Sequence, residues 1–145
     1  MNPHLIRSLG LVSVLLAVVA SGWAADRAGR EPQPLVPGPV VRLVIDHPSL
    51  AGYLHPEVAG RVPLIISDHL LAVDIKLSKF GQPVRIVHDS EVGSRPHLRF
   101  LSFQVDGRRA KVTIEYKVEG VQSVFILEQG SNGWWKVVDA TATER

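Results

Sequence analysis

Three pairs of adjacent aspartate and histidine residues are the side chains in this sequence whose types and spacing are best suited to chemistry. They are Asp46-His47, Asp68-His69 and the reversed pair His88-Asp89. Histidine titrates near neutral pH and is the commonest metal ligand, and a neighbouring carboxylate can orient its ring or stabilise its charged form. The candidate site, either a pocket or a group of side chains at strand ends, therefore consists of Asp46, His47, Asp68, His69, His88 and Asp89.

The spacing of these histidines favours exposed turns over a shared site. No two of them lie two residues apart, as on one face of a strand, or four residues apart, as on one face of a helix. Those are the separations that direct two ring nitrogens toward one ion. The pairs fall at predicted strand ends, so they converge only if those ends share one edge of a sheet. We expect no metal and no cofactor.

Recognisable catalytic motifs are missing from the sequence. It contains no cysteine, which excludes thiolate catalysis, iron–sulfur clusters and disulfides. The nearest approach to a Gly-x-Ser-x-Gly nucleophile motif is residues 129–133, where Gln129 replaces the first glycine. We find no glycine-rich phosphate loop. We assign no catalytic residue, and the sequence favours a non-catalytic protein over an enzyme.

The adjacent tryptophans Trp134 and Trp135 are candidate partner-contact residues. Neighbouring residues of a strand point to opposite faces of the sheet, so only one of the two enters a given core. An exposed tryptophan could anchor a protein partner or a glycan. Because the neighbouring strands are apolar on both faces, we expect both rings to be covered.

The first 24 residues have the order of a secretory signal peptide. A short region with Arg7 precedes the apolar run from Leu9 to Ala20, and small residues stand at Gly22 and Ala24. This run is shorter than the roughly 20 residues that span a bilayer. We expect cleavage after Ala24 and a periplasmic or secreted protein, which would meet the membrane only through this segment if it were uncleaved.

Charge and proline content describe the remaining chain. Without Arg7, 15 basic residues face 14 acidic residues, and such a balance argues against nucleic-acid binding. The small basic cluster Arg108-Arg109-Ala110-Lys111 falls at an expected turn.

Residues 25–40 hold four prolines between Pro32 and Pro39 and are predicted to be an extended linker. Residues 41–145 then form a single domain.

Within that domain the pattern is mostly that of strands. It predicts an α+β fold, a curved, mostly antiparallel β-sheet meander with a short helical cover. The glycine-containing turns Asp106-Gly107, Glu119-Gly120 and Asn132-Gly133 separate hairpin strands. The expected strands are 41–45, 63–67 (an edge or entry strand), 71–78, 84–88, 98–105, 111–118, 121–128 and 134–143. A helix of one or two turns is expected within 48–61.

Alternation of apolar residues refines this picture. Strand 111–118 has one apolar and one polar face, whereas 98–105 and 121–128 carry apolar residues on both faces. A strand that is apolar on both faces is expected to be covered on both. We therefore expect either that the sheet curls on itself or that the short helix and the linker lie over its concave face.

The C-terminal hairpins resemble those of the NTF2-like (cystatin-like cone) superfamily. The resemblance rests on residues 110–120, on Phe125-Ile-Leu127 and on Asn132-Gly-Trp-Trp-Lys-Val-Val-Asp139, about a quarter of the chain. It implies a cone-shaped sheet capped by a helix, for which this chain offers Pro48 to Arg61. The superfamily includes enzymes, ligand binders and scaffolds, so the resemblance implies no particular activity and no catalytic residue.

Three functions fit these observations. The first is a non-catalytic binding or accessory module of the cell envelope, whose partner is an envelope protein or a small ligand. The second is a small hydrolase or isomerase, which requires Asp74, Asp139 or His88 inside a pocket of the sheet. The third is an inhibitor or immunity protein for an envelope-acting enzyme, which requires an exposed patch or a protruding loop such as residues 89–96.

Overall fold

The computed structural model describes residues 32–145. The predicted signal peptide and the first part of the predicted linker lie outside these residues. Two short helices precede a six-stranded sheet and a two-stranded hairpin, so the fold is α+β. The elements are α1 (Gly38–Ile45), α2 (Pro48–Leu54), β1 (Ile65–Ser67), β2 (Ser78–Lys79), β3 (Gln82–Pro83), β4 (Arg85–Val87), β5 (Leu98–Asp106), β6 (Arg109–Tyr116), β7 (Val121–Gln129) and β8 (Trp135–Glu144).

Helix α1 occupies the segment that was predicted to be a strand over 41–45, and that prediction was wrong. Proline stands in the first turn, where its missing N–H costs no helical hydrogen bond. The buried residues Val40, Val41, Val44 and Ile45 share one face of the helix. Burying this face against the sheet outweighs the modest preference of valine and isoleucine for strands.

The start of the folded region also differs from the prediction. Val36 and Val40 are fully buried, although both lie in the predicted linker. The backbone of Val36 donates to the carbonyl of Leu70 at 2.7 Å and accepts from the N–H of Ala72 at 3.0 Å. The final residues of the proline-rich segment are therefore part of the core.

Helix α2 confirms the prediction of one or two helical turns after Pro48. It buries Leu50 and Leu54. The ring of His47 caps the first turn, because its Nδ1 accepts a hydrogen bond from the backbone N–H of Ser49 at 3.2 Å. The helix ends at His55, whose φ of 44° is left-handed.

The six-stranded sheet is mixed and has the order β4-β1-β5-β6-β7-β8. Strands β5 to β8 form the predicted antiparallel meander, whereas β1 runs parallel to both β4 and β5. Strand β1 lies inside the sheet, so its predicted edge position was wrong. Pro63 precedes the paired residues Ile65–Ser67, and its missing N–H therefore removes no bond from the ladder.

The regular alternation over 71–78 does not produce the predicted strand. Leu71 makes one isolated bridge to Val36, and pairing resumes only at β2, which forms a hairpin with β3. Leu70 and Asp74 both have left-handed φ angles, 63° and 60°, which are incompatible with a continuous extended strand. Ile75 and Leu77 are partly buried and pack against the core. The alternation of apolar residues therefore reflects contact with the core without strand pairing.

A β-bulge explains the apolar residues on both faces of the sequence of β5. The pairing register shifts between Phe100 and Ser102, so that Phe100 and Phe103 both face the core, where they are buried. The expectation that β5 is covered on both faces was therefore wrong. Strand β6 has one buried and one more exposed face, as predicted.

Both helices pack on the buried face of the sheet and fill it with side chains. The largest of the fully buried side chains are Tyr116, Phe100, Phe125, Ile45, Leu50 and Leu54. These residues come from both helices and from three strands, and they form one hydrophobic cluster. Within the described residues, neither helix has the length and apolar character needed to cross a membrane.

Candidate functional site

The parallel pairing of β1 and β4 brings four of the predicted site residues together. Ser67 is paired with Val87 at the ends of these two strands. The residues that follow, Asp68-His69 and His88-Asp89, therefore leave the same edge of the sheet. The carboxyl ends of parallel strands are a common location for functional groups. We call these four residues, with Ser67 and Arg99, the strand-end cluster.

Asp89 is the centre of the strand-end cluster. Its Oδ1 accepts a hydrogen bond of 2.6 Å from the hydroxyl of Ser67, and its Oδ2 accepts one of 3.1 Å from Nη2 of Arg99. The hydrogen bond from Ser67, followed by the positive charge of Arg99, lowers the pKa of Asp89 below its ordinary value, although desolvation opposes the shift. Asp89 is therefore an ionised carboxylate at neutral pH.

Asp68 completes this arrangement through the backbone. Its Oδ1 accepts from the N–H of Asp89 at 2.9 Å, while its own N–H donates to the carbonyl of Val87 at 2.9 Å. Its Oδ2 lies 4.0 Å from Nε2 of His88. Asp68 and Asp89 thus connect the segment after β1 to the segment after β4.

These hydrogen bonds give the cluster a structural character. Each carboxylate oxygen of Asp89 accepts a hydrogen bond from the protein, one from Ser67 and one from Arg99. Ser67 is fully buried and donates its hydrogen bond to Asp89, a geometry unlike that of a nucleophile, which must reach its substrate. The cluster fastens two chain segments to each other.

Asp46 and His47 do not join the strand-end cluster. Asp46 forms an ion pair of 2.9 Å with Nζ of Lys79. His47 caps α2 and packs edge-on against the ring of Phe125, with 5.4 Å between the ring centroids. The sequence placed all three Asp-His pairs in one candidate cluster, and the tertiary structure brings only two of them together.

Metal binding receives no geometric support within residues 32–145. No group of three or more histidine, aspartate or glutamate side chains in this part of the chain is arranged to hold a metal ion.

The residues required for a catalytic pocket do not line the core. Asp74, Asp139 and His88 are all exposed. The segment 89–96 is held to the sheet at Asp89, which accepts from Ser67 and Arg99, and at the buried Val92, whereas residues 90, 91 and 93–95 are exposed. The exposed Asp74, Asp139 and His88 do not form a buried acid–base pocket.

Trp134 is the largest exposed apolar side chain of the described residues. It is 68% exposed, whereas the adjacent Trp135 is half-buried and packs against the core. The prediction that both rings are covered was wrong for Trp134. The turn leaves this ring in solvent before β8 begins.

The turn that carries Trp134 is held by several hydrogen bonds. The N–H of Trp134 donates to Oδ1 of Asn132 at 3.1 Å, and its carbonyl accepts from the N–H of Gly130 at 2.9 Å. The side chain of Gln129 donates to the carbonyl of Gly133 at 2.8 Å. The backbone beneath the exposed indole is therefore fixed before any partner arrives, which lowers the entropy cost of binding.

Trp134 forms a wall of two adjoining clefts. One cleft of about 450 Å³ lies between α1 and the loop 73–77, and its polar lining residues are Arg42, Asp74 and Lys76. The other cleft, of about 370 Å³, lies toward Pro37 and Asn132. Both clefts share Pro39 and Trp134. We call the two together the Trp134 groove.

Two of the three basic side chains near the β5–β6 turn have partners within the protein. Arg108 donates from Nε to the carbonyl of Gln129 at 2.9 Å, and Nε of Arg109 lies 3.7 Å from Glu128. A depression beside this turn is lined by Lys111 and Ile126 but has no aromatic wall. We therefore regard the Trp134 groove as the better candidate binding site.

The Trp134 groove includes residues that the sequence did not single out. Arg42 belongs to α1, which was predicted to be a strand, and Lys76 belongs to the wrongly predicted strand 71–78. The start of α1 carried one usable signal, because Gly38-Pro39 precedes valines and isoleucine at helical spacing. No local pattern indicated that this helix lies beside the turn of Trp134.

No protein family model, no curated protein and no solved structure matches this chain. The resemblance of the C-terminal hairpins to the NTF2-like superfamily stays a prediction.

Proposed function

We propose that this protein is an exported, non-catalytic binding module of the cell envelope and that it binds its partner through the Trp134 groove. The observation that carries this proposal is the exposure of Trp134, 68%, on a hydrogen-bonded turn. Large aromatic side chains concentrate binding energy at interfaces, and a soluble protein gains nothing in stability from leaving an indole in water. Export is inferred from the N-terminal sequence described above.

The filled interior supports binding at the surface rather than catalysis in a pocket. Helices α1 and α2 occupy the face of the sheet where a cone-shaped fold would hold a ligand, and Phe100 and Phe125 are fully buried there. The candidate acid–base residues lie outside this core. An inhibitor or immunity protein is a special case of the same proposal, since it also requires an exposed apolar patch.

The proposal is tested by capture from a periplasmic extract with three immobilised proteins. They are the wild type, Trp134→Ala and Val118→Ala, which removes another exposed apolar side chain (46% exposed) from a turn at the opposite end of β6 and β7. Protein and polysaccharide fractions are both assayed. We expect a component that the wild type and Val118→Ala retain and that Trp134→Ala loses. Equal retention by all three proteins would contradict binding through Trp134.

A further inference from the structure

The polar end of the Trp134 groove carries two basic side chains that form no ion pair. Arg42 on α1 and Lys76 in the loop 73–77 line the same cleft as Trp134. Neither forms an ion pair with another residue of the described chain. Other basic residues do: Lys79 pairs with Asp46, and Arg99 pairs with Asp89.

The groove continues past these two basic residues. A third cleft, of about 300 Å³, is lined by Arg42, Lys76 and Leu77 and extends along the β2–β3 hairpin as far as Gln82. Each of the three clefts shares lining residues with the next one, so together they form one continuous surface. It is aromatic and apolar at Trp134 and positively charged at Arg42 and Lys76.

One acidic side chain stands within this positively charged region. Asp74 lines the same cleft, is exposed, and has a left-handed backbone with φ 60°. An ionised aspartate only accepts hydrogen bonds. A ligand that fits here must therefore bring hydroxyl or amide donors for Asp74 as well as negative charge for Arg42 and Lys76.

These features together favour a sugar over a peptide. A sugar ring presents C–H groups that pack flat on an indole, and its hydroxyl groups donate to a carboxylate. An acidic peptide would satisfy the two basic residues, but its carboxylate side chains bring no hydrogen-bond donor for Asp74 and no flat C–H face for the indole.

We propose that the Trp134 groove binds an anionic saccharide, with a sugar ring stacked on Trp134, hydroxyl groups donating to Asp74, and a carboxylate or phosphate contacting Arg42 and Lys76. This inference rests on the proposed function, since it names the class of ligand for the same groove. A uronic acid and a phosphorylated sugar both supply such a negative group and offer the same chemistry to the two basic residues.

The test is isothermal titration of the full chain with three probes: a tetramer of galacturonic acid, a tetramer of galactose, and a phosphorylated hexose. Each exposed ion pair contributes up to about fivefold in affinity, so we expect the wild type to bind the anionic tetramer about tenfold more tightly than the neutral one. This preference should weaken as salt is added. Comparing the galacturonate and phosphate probes shows which anion the groove prefers.

Three variants separate the contributions. Arg42→Gln combined with Lys76→Gln should bind the two tetramers equally, whereas Lys111→Gln, which removes an exposed charge from β6, should keep the wild-type preference. Trp134→Ala should weaken binding of both tetramers by about tenfold, because stacking on the indole is lost. Circular dichroism of each variant shows that it is folded.

The outcomes distinguish this inference from the proposed function. If neither saccharide binds while capture from the extract still depends on Trp134, the ligand class is wrong and the binding module stands. If the double variant keeps the anionic preference, the roles of Arg42 and Lys76 are wrong. If saccharides bind equally well to Trp134→Ala, they do not bind in the Trp134 groove and this inference is overturned. The proposed function is overturned only if capture from the extract is also independent of Trp134.

Discussion

Ser67 is the last residue of β1, and Asp89 lies two residues beyond the end of the parallel strand β4. The buried hydroxyl of Ser67 donates a hydrogen bond of 2.6 Å to Oδ1 of Asp89. The same hydroxyl accepts the backbone N–H of His69 at 3.2 Å. A single buried serine therefore connects the segment after β1 to the segment after β4.

Replacing Ser67 should destabilise the fold measurably. Ser67→Ala removes a donor to Asp89 and leaves the N–H of His69 without its acceptor, so we expect a loss of about 1–2 kcal/mol in the free energy of unfolding. Urea unfolding followed by circular dichroism measures this loss. Ser94→Ala, at an exposed position in the segment 89–96, is the control and should change stability by less than about 0.5 kcal/mol.

The contribution of Asp89 should depend on pH. Because its pKa is lower in the folded chain than its ordinary value of 3.8, the ionised carboxylate stabilises the fold fully above that value. The contribution is lost as the pH falls from 3.8 through the lower folded-state pKa. Asp89→Asn should therefore be less stable than the wild type at neutral pH, and the difference should shrink in acid.

A second acidic residue nearby serves as a control for whether the pH dependence of stability is specific to Asp89. Glu91→Gln removes a negative charge two residues away, where the side chain is exposed. Urea unfolding of both variants at neutral and acidic pH provides the comparison. A Glu91→Gln profile with the same pH dependence as Asp89→Asn would contradict a specific role for Asp89.

The two adjacent tryptophans should differ in their effect on stability. Trp134 is exposed, so Trp134→Ala should change the free energy of unfolding by less than about 0.5 kcal/mol. Trp135 packs against the core, and Trp135→Ala should cost about 2 kcal/mol, because a half-buried ring loses roughly half of the packing of a buried one. Acrylamide should also quench Trp134 more strongly than Trp135, as measured in variants that keep one of the two.

A partly buried arginine holds the loop before β1 against the sheet. Arg61 donates from Nη1 to the hydroxyl of Tyr116 at 3.2 Å and pairs with Glu119 through Nη2. Its Cζ lies 5.5 Å from the centroid of the Tyr116 ring. The hydrogen bond to Tyr116 raises the pKa of Arg61, so its charge persists across the accessible pH range.

Removing this arginine should cost about 2–3 kcal/mol, because the hydroxyl of Tyr116 and the carboxylate of Glu119 both lose their partner. Arg61→Ala and Tyr116→Phe test the contact by urea unfolding. Tyr116→Phe keeps the ring and should cost only about 1 kcal/mol. Equal losses in the two variants would mean that the tyrosine hydroxyl, rather than the ion pair and ring stacking, is responsible.

Replacing each of two glycines by alanine should change the stability of the fold in opposite directions. Gly120 has a φ of 66°, and an added Cβ would lie 3.2 Å from the carbonyl oxygen of Arg145. Gly120→Ala should therefore destabilise the fold by about 1–2 kcal/mol. Gly52 lies in α2 with open space around its Cα, so Gly52→Ala should stabilise by up to about 1 kcal/mol. Thermal unfolding of both variants gives the comparison.

The sequence predicted the C-terminal half of the sheet correctly because its signals are local. Asp106-Gly107 and Asn132-Gly133 are turn dipeptides whose glycines take the left-handed conformation, with φ angles of 54° and 82°. These turns define the hairpins of β5 to β8 without reference to the rest of the chain. The short helix after Pro48 is similarly local.

The errors in the N-terminal half arise from contacts that the sequence does not record. The valines of α1 favour a strand by intrinsic preference, and packing against the sheet makes them helical. The alternation over 71–78 reflects the partial burial of Ile75 and Leu77, but burial alone does not specify a hydrogen-bonded neighbour. The bulge between Phe100 and Ser102 shifts every later side chain of β5 to the other face, which a fixed period of two cannot represent.

By itself the sequence determined the strand-rich composition of the domain, the hairpin turns, the absence of cysteine and the candidate aspartates and histidines. Only the tertiary structure decided which of them meet. The parallel pairing of β1 with β4 brings Ser67, Asp68 and Asp89 together, and the packing of α1 places Arg42 beside Trp134. The physical reason is that turn geometry depends on neighbouring residues, whereas strand pairing and helix docking depend on burial between residues far apart in the chain.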